Sequence, residues 1–221
     1  MRSMISIADM RDPQSLASRM RKRRFQFFTD LLASVPRPIT ICDIGGTPSF
    51  WESMALPTDD EVTITVVNLF AQMSSNERVH TVIGDARALD FPDQSFNVIY
   101  SNSVIEHVGS FDDQRRMAEE VRRLGPRHFV QTPNFFFPVE PHFLFPGFQF
   151  LPANVRAWLL TKRNLGWMER EPSFSAASDV VRQIRLLRLS EMRRLFPTSS
   201  IYRERVAGLT KSFVAYEGFG R

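Results

Sequence analysis

The chain has 221 residues, 43% hydrophobic and 24% charged, with a formal net charge of +4. That composition excludes a disordered or fibrous chain, and the length suits one domain carrying an elaboration. A single cysteine, Cys42, excludes an internal disulfide framework and a cysteine-based zinc site, and no run of about 18 apolar residues offers a transmembrane span. The first residues lack the apolar centre of a secretory signal, so the expected compartment is the cytoplasm. The densest basic run, Arg19 and Arg21 to Arg24, reads as the solvated face of a helix.

Residues 12–34 predict that helix, with Asp12 as its cap, Pro13 in its first turn and Leu16, Met20, Phe27 and Leu31 near helical spacing. Pro36 and Pro38 stop it. Short apolar runs follow at Ile39–Ile44, Val62–Val67, Val79–Ile83, Phe96–Tyr100 and His128–Gln131, each suited to a strand buried on both faces of a parallel sheet. Between the last two, residues 111–124 form the clearest helix, opened by Ser110 with Asp113 and closed by Gly125-Pro126. Strand, helix and strand in this order imply right-handed crossovers and a doubly wound sheet.

Beyond residue 134 the rhythm breaks. The stretch FFFPVEPHFLFPGFQF (135–150) holds seven Phe and three Pro, and a helix is expected over 152–165. This insertion, 135–188, can pack against the sheet, close over an acceptor pocket, or touch a membrane beside the basic helix. Ser190 then caps a short helix through Phe196, and runs at 201–206 and 211–217 around Gly208 suit a hairpin. The expected fold is α/β: a Rossmann-like, doubly wound, mostly parallel seven-stranded sheet with an antiparallel C-terminal strand. One domain would cover 1–221, with residues 1–35 as a helical extension.

Ligands of doubly wound sheets sit outside the carboxyl ends of the strands. Those ends here are Asp43–Thr47, Asn68, Asp85 and Ser101–His107, each polar or glycine directly after an apolar run. Paired glycines let backbone approach a ligand, and the next helix would present free N–H groups. Asn68 follows Asp43 by 68 − 43 = 25 residues, near the roughly 20-residue offset of a ribose-binding side chain. Asp85, beside Ala86 and Leu89, can accept from the amine of a flat base or can simply cap a turn.

The succession DIGG (43–46), VVNL (66–69), GDARALDFPDQSFNVIYSNSVIEHV (84–108) and RHFVQTPN (127–134) resembles the class I methyltransferases that use S-adenosylmethionine. Within them it is most similar to the branch with ubiquinone- and menaquinone-type enzymes. The resemblance implies S-adenosylmethionine as cofactor, with Asp43, Gly45 and Gly46 around its methionine portion and ribose. It puts Asn68 at the ribose hydroxyls, Asp85 and Ala86 at the adenine, and Ser101 and Asn102 beside the transferable methyl. His107 would stand near the mouth. Two departures mark the chain: the glycines are adjacent and followed by Thr47-Pro48-Ser49, where the family reads D-x-G-x-G-x-G, and Asn68 replaces the usual acidic residue.

The implied reaction is in-line methyl transfer to a small-molecule O- or N-nucleophile, selected by the 135–170 segment and needing no metal. His107, Glu140 and His142 are the catalytic candidates, because a carboxylate beside an imidazole raises its basicity. A nucleic-acid methyltransferase is favoured only by the basic charge, against an apolar insertion. A scaffold that lost its cofactor is supported only by the altered loop and Asn68. A nicotinamide dehydrogenase lacks its G-x-G-x-x-G.

Overall fold

The β-branched runs become strands, and their placement is that of a doubly wound sheet. A computed structural model describes residues 8–9, 12–54 and 61–220. In chain order these contain α1 (Leu16–Leu32), β1 (Ile39–Ile44), α2 (Pro48–Met54), β2 (Val62–Asn68), β3 (Val79–Ile83) and β4 (Val98–Asn102). Next come α3 (Phe111–Leu124), β5 (His128–Pro133), the short strands β6 (Val139–Glu140) and β7 (Phe145–Pro146), α4 (Ala153–Lys162) and α5 (Phe174–Arg182). Last are α6 (Leu189–Leu195), β8 (Ser200–Val206) and β9 (Leu209–Glu217).

The seven-stranded sheet runs β3-β2-β1-β4-β5-β9-β8. β1 pairs in parallel with β2 and β4, and β9 alone runs against its neighbours β5 and β8. The winding reverses between β1 and β4, which is where such a sheet opens a crevice. β1, β4 and β5 are almost wholly buried. β3 is not: as an edge strand it buries only Val79, so the expectation of two covered faces fails there.

Two cores flank the sheet. α3 and α6 cover one face with Met117, Val121, Leu124, Met192 and Leu195. On the other face α1 brings Phe25, Phe28 and Leu32 against Trp51, Tyr100 and Phe129. The rings of Tyr100 and Phe129 stack 5.6 Å apart, and Phe28 meets Tyr100 at 4.8 Å. The N-terminal helix thus packs directly on this face of the sheet. Its basic run divides: Arg19, Lys22 and Arg23 are exposed, while Arg24 is buried on Glu204.

Several boundaries correct the sequence reading. Ser15, not Asp12, caps α1 by accepting from the Ser18 N–H; Asp12 accepts from Gln14 in the turn before. β4 begins at Val98 and β5 extends to Pro133. α6 starts at Leu189 ahead of Ser190, because the Glu191 carboxylate takes the Arg188 N–H and closes the turn one residue earlier. The helix expected over 152–165 is α4, ended by an extended Arg163. Among the described residues no helix is long and apolar enough to cross a membrane.

The insertion packs mainly on itself. Phe143 and Phe148 join Ala157, Leu160, Leu165, Ala177 and Val181 in a separate small core. Its two ends meet where Asn134 bridges Leu187 and the Phe135 N–H reaches the Leu187 carbonyl at 3.0 Å.

His128, at the start of β5, is 3% exposed, with Nε2 2.7 Å from Ser199 Oγ. Burial holds its imidazole down to about 4, although Glu217 pulls the other way. An unfolded histidine titrates near 6.5, so between 6.5 and 4 only the unfolded chain takes up this proton. Stability contributed by neutral His128 is therefore lost as pH falls through that window. Urea unfolding should show the advantage of the native chain over His128→Gln shrinking by up to about 1.4 kcal/mol per pH unit below 6.5. A pH-independent difference would contradict it.

Candidate functional site

A cavity of about 640 Å³ opens outside the carboxyl ends of β1, β2 and β4 and the turn after β3. Its walls include Gly45, Asn68, Leu69, Asp85, Ala86, Val104 and His107. The loop after β1 forms one side. Gly45 sits at φ +79°, and a Cβ there would come within 2.4 Å of Val104 Cγ1. A Cβ on Gly46 would lie 1.7 Å from Asp43 Oδ2, so the buried carboxyl occupies the space any side chain would need.

Asp43 is held in turn by Trp51, whose indole Nε1 donates to Oδ2 at 2.7 Å. Burial pushes the Asp43 carboxyl up to about 7, against the pull of that indole. The loop is tied at further points. The Gly45 N–H donates to the Val67 carbonyl at 2.7 Å, and Asn68 Nδ2 to the Gly46 carbonyl at 3.0 Å. Ser101 Oγ donates to the Ile44 carbonyl at 3.0 Å. The fan of N–H groups expected from the following helix is reduced: α2 begins with Pro48, which has no N–H, and the Phe50 N–H donates to the Thr47 carbonyl at 3.1 Å.

The sequence candidates therefore fall into two groups. Gly45, Asn68, Asp85, Ala86 and His107 line the cavity. Asp43, Gly46, Ser101 and Asn102 are not among its lining residues; Asp43 and Ser101 hold the loop through Trp51 and the Ile44 carbonyl. Asn102 accepts from the buried Arg24, whose guanidinium also grips Glu204 at 2.9 and 2.7 Å. Asp85 is clamped by Arg87, whose Nε and Nη2 approach its oxygens at 2.9 and 2.6 Å. That clamp keeps the Asp85 carboxyl below the usual carboxylate range. Missed from sequence were Arg87, the α5 residues Asp179 and Arg182, and Gln183 just after them, which bring the insertion onto the cavity.

At one end of the cavity the three catalytic candidates do come together. His107 follows β4 in a short 3₁₀ turn, and Glu140 and His142 lie on the β6–β7 ribbon. His142 Nδ1 is 2.7 Å from Glu140 Oε1, and its Nε2 is 3.1 Å from His107 Nε2. The other Glu140 oxygen accepts from the backbone of His142 and Phe143 at 2.8 and 2.7 Å. Burial works against a charge on His142, but the Glu140 hydrogen bond and the charges of Glu140 and Glu106 raise its pKa. Burial and the adjacent His142 push His107 down to about 4. Glu106, which sequence reading passed over beside His107, is fully buried in this group and lifted by burial to about 7.

The loop geometry separates two glycines of nearly equal φ. Gly208 in the β8–β9 turn has φ +80° but nothing within 4 Å of an added Cβ. Gly208→Ala should therefore lose only the backbone part, about 1–2 kcal/mol. Gly45→Ala adds a clash with Val104 and should lose a further 1–3 kcal/mol or so. Denaturant unfolding of both variants checks this; equal losses would mean that the loop has room.

Residues 46–126 match the family model described as a methyltransferase domain. Two uncharacterized proteins of Mycobacterium tuberculosis, from strains CDC 1551/Oshkosh and ATCC 25618/H37Rv, are each 36% identical over 67 residues, which is 30% of this chain and 23% of theirs. The match thus spans less than a quarter of those relatives. Among solved structures, a SAM-dependent methyltransferase from Methanosarcina mazei superposes with a TM-score of 0.53 at 12% identity, covering 84% of this chain and 94% of that one. The CurJ carbon methyltransferase gives 0.59 at 12% identity, over 92% of this chain and 55% of its own. A methyltransferase seen in complex with the Trm112 methyltransferase activator of Haloferax volcanii gives 0.51 at 14%, over 89% and 90%. By sheet order, by its antiparallel last strand and by these likenesses, the chain has the class I S-adenosylmethionine-dependent methyltransferase fold, with a methyltransferase domain recognisable over residues 46–126.

Proposed function

We propose that the chain transfers a methyl group from S-adenosylmethionine to a small-molecule oxygen or nitrogen nucleophile. The observation that carries this reading is the cavity at the β1/β4 reversal, with the glycine loop on one side and the histidine pair at its end. Its 640 Å³ falls within the range of small-molecule sites. The residues present suit such a cofactor. Neither Gly45 nor Gly46 leaves room for a Cβ, so backbone forms the loop's surface. Asn68 gives Nδ2 to Gly46 and keeps Oδ1 to accept from a hydroxyl. The ionised Asp85 can accept from an exocyclic amine beside Ala86.

The bound cofactor would supply a sulfonium-activated methyl, which needs no metal to make it transferable. What remains for this chain is to align the acceptor and keep water out. The end of α5 meets the cavity with Asp179, Arg182 and the following Gln183, which suits the insertion to selecting the acceptor. His107, which lines the cavity and is backed by His142 and Glu140, would meet the acceptor's nucleophile and take its proton where it has one to lose. The likeness to ubiquinone- and menaquinone-type enzymes belongs to this proposal, and the 84–108 string is its most specific part. The insertion is built around an apolar, aromatic core, which favours a small-molecule acceptor over a nucleic acid. A cytoplasmic location remains part of this proposal.

Calorimetric titration with S-adenosylhomocysteine tests it. Asp85→Ala should weaken binding about 10- to 100-fold, the worth of a charged hydrogen bond. His142→Ala, outside the cavity lining, should leave that affinity within about threefold and lower turnover about 100-fold or more. Absence of binding by the native chain would refute the reading.

A further inference from the structure

Four side chains around the two histidines are arranged in a way that proton transfer alone does not require. His142 gives its Nδ1 side to the Glu140 carboxylate at 2.7 Å, which fixes the proton on Nδ1 and leaves a lone pair on Nε2. That lone pair faces His107 Nε2 at 3.1 Å. Glu106, fully buried, bonds Thr132 through Oε2 at 2.9 Å, whereas its Oε1 is buried without any partner. One ligand atom from each of Glu106, His107 and His142 lies within 4.8 Å of the other two. The cluster thus pairs two imidazole nitrogens with an unsatisfied carboxylate oxygen; Glu106 is buried, His142 half-buried and His107 exposed.

We propose that Glu106, His107 and His142 hold one divalent cation of the zinc class at the mouth of the cavity. Two nitrogens bound to tetrahedral zinc stand roughly 3.3 Å apart, from bond lengths of about 2.0–2.1 Å. The two Nε2 atoms are already at 3.1 Å. Glu106 closes the set by a side-chain rotation, and Oε1 gains the partner it lacks. Two histidines and one carboxylate make a mixed nitrogen and oxygen donor set that suits zinc over magnesium. Glu140 completes the pattern as the outer carboxylate that orients a ligating histidine. Three protein ligands leave a coordination position open, and His107 also lines the cavity. That position takes an oxygen donor of the acceptor, an assignment that rests on the methyl-transfer reading; the cation site itself does not. The sulfonium donor still needs no metal, so the ion belongs to the acceptor's side.

The full chain, stripped with chelator, is titrated with zinc chloride by calorimetry and with cobalt chloride by visible absorption. One ion per chain is expected, with magnesium bound at least about 100-fold more weakly. His142→Ala should weaken zinc about 100-fold, and Glu140→Gln about 10- to 100-fold at unchanged stoichiometry. If His142→Ala loses its cooperative melt, Glu140→Gln, which keeps both histidines, decides the matter. No zinc uptake by the native chain, or equal uptake when His107 and His142 are both alanine, overturns the proposal. S-adenosylhomocysteine is titrated into the same samples: zinc bound without it would sink the methyl-transfer reading and leave the cation site standing. The reverse result would sink the cation site alone.

Discussion

The hydrogen bond from the Trp51 indole to the Asp43 carboxyl is the interaction on which the site's shape depends. It joins three levels of the structure. Asp43 lies near the end of the central strand, Trp51 sits in the aromatic core under α1, and position 46 takes only glycine because the carboxyl fills the space a Cβ would need. A buried carboxyl without a donor would be costly; the indole offsets part of that and fixes which way the group points. The loop is then fastened through Val67 and Asn68 from β2 and Ser101 from β4. Backbone is left as the surface that faces the cavity.

From this follows a division of labour along the chain. The sheet and its two cores build a rigid edge at the β1/β4 reversal. The insertion, folded on its own small core and clipped at Asn134 and Leu187, delivers polar groups onto that edge. It does so twice, through α5 over the cavity and through the β6–β7 ribbon that carries Glu140 and His142. On the proposed reading the sheet edge would hold the cofactor and the insertion would select the acceptor, a separation that lets one fold serve many acceptors.

The fold was largely legible in the sequence because buried parallel strands write themselves as β-branched runs, and β1, β2 and β3 begin where those runs begin. What blurred was set by partners distant in sequence. β5 extends two residues past Gln131 because β9 pairs with Thr132 and Pro133. Ser15 took the cap that Asp12 could equally have supplied. At the site, spacing brought out Gly45, Asn68, Asp85 and His107, since strand ends are sequence landmarks. The joining of His107 to Glu140 and His142 spans 35 residues and an insertion without periodicity, and only the VEPHF composition hinted at it. Arg87 and the α5 residues carried no signal at all, because an arginine two residues from an aspartate is commonplace. Glu106 looked like an ordinary turn residue beside a histidine; its burial is a tertiary fact.

A crystal structure with S-adenosylhomocysteine tests the central claim most directly, that this edge of the sheet is the methyl donor's seat. The account predicts the adenine beside Asp85 and Ala86, the ribose at Asn68, and the sulfur toward the His107 end of the cavity, with the Asp43–Trp51 bond intact. A ligand bound elsewhere, or a cavity that stays empty at saturating ligand, would contradict it.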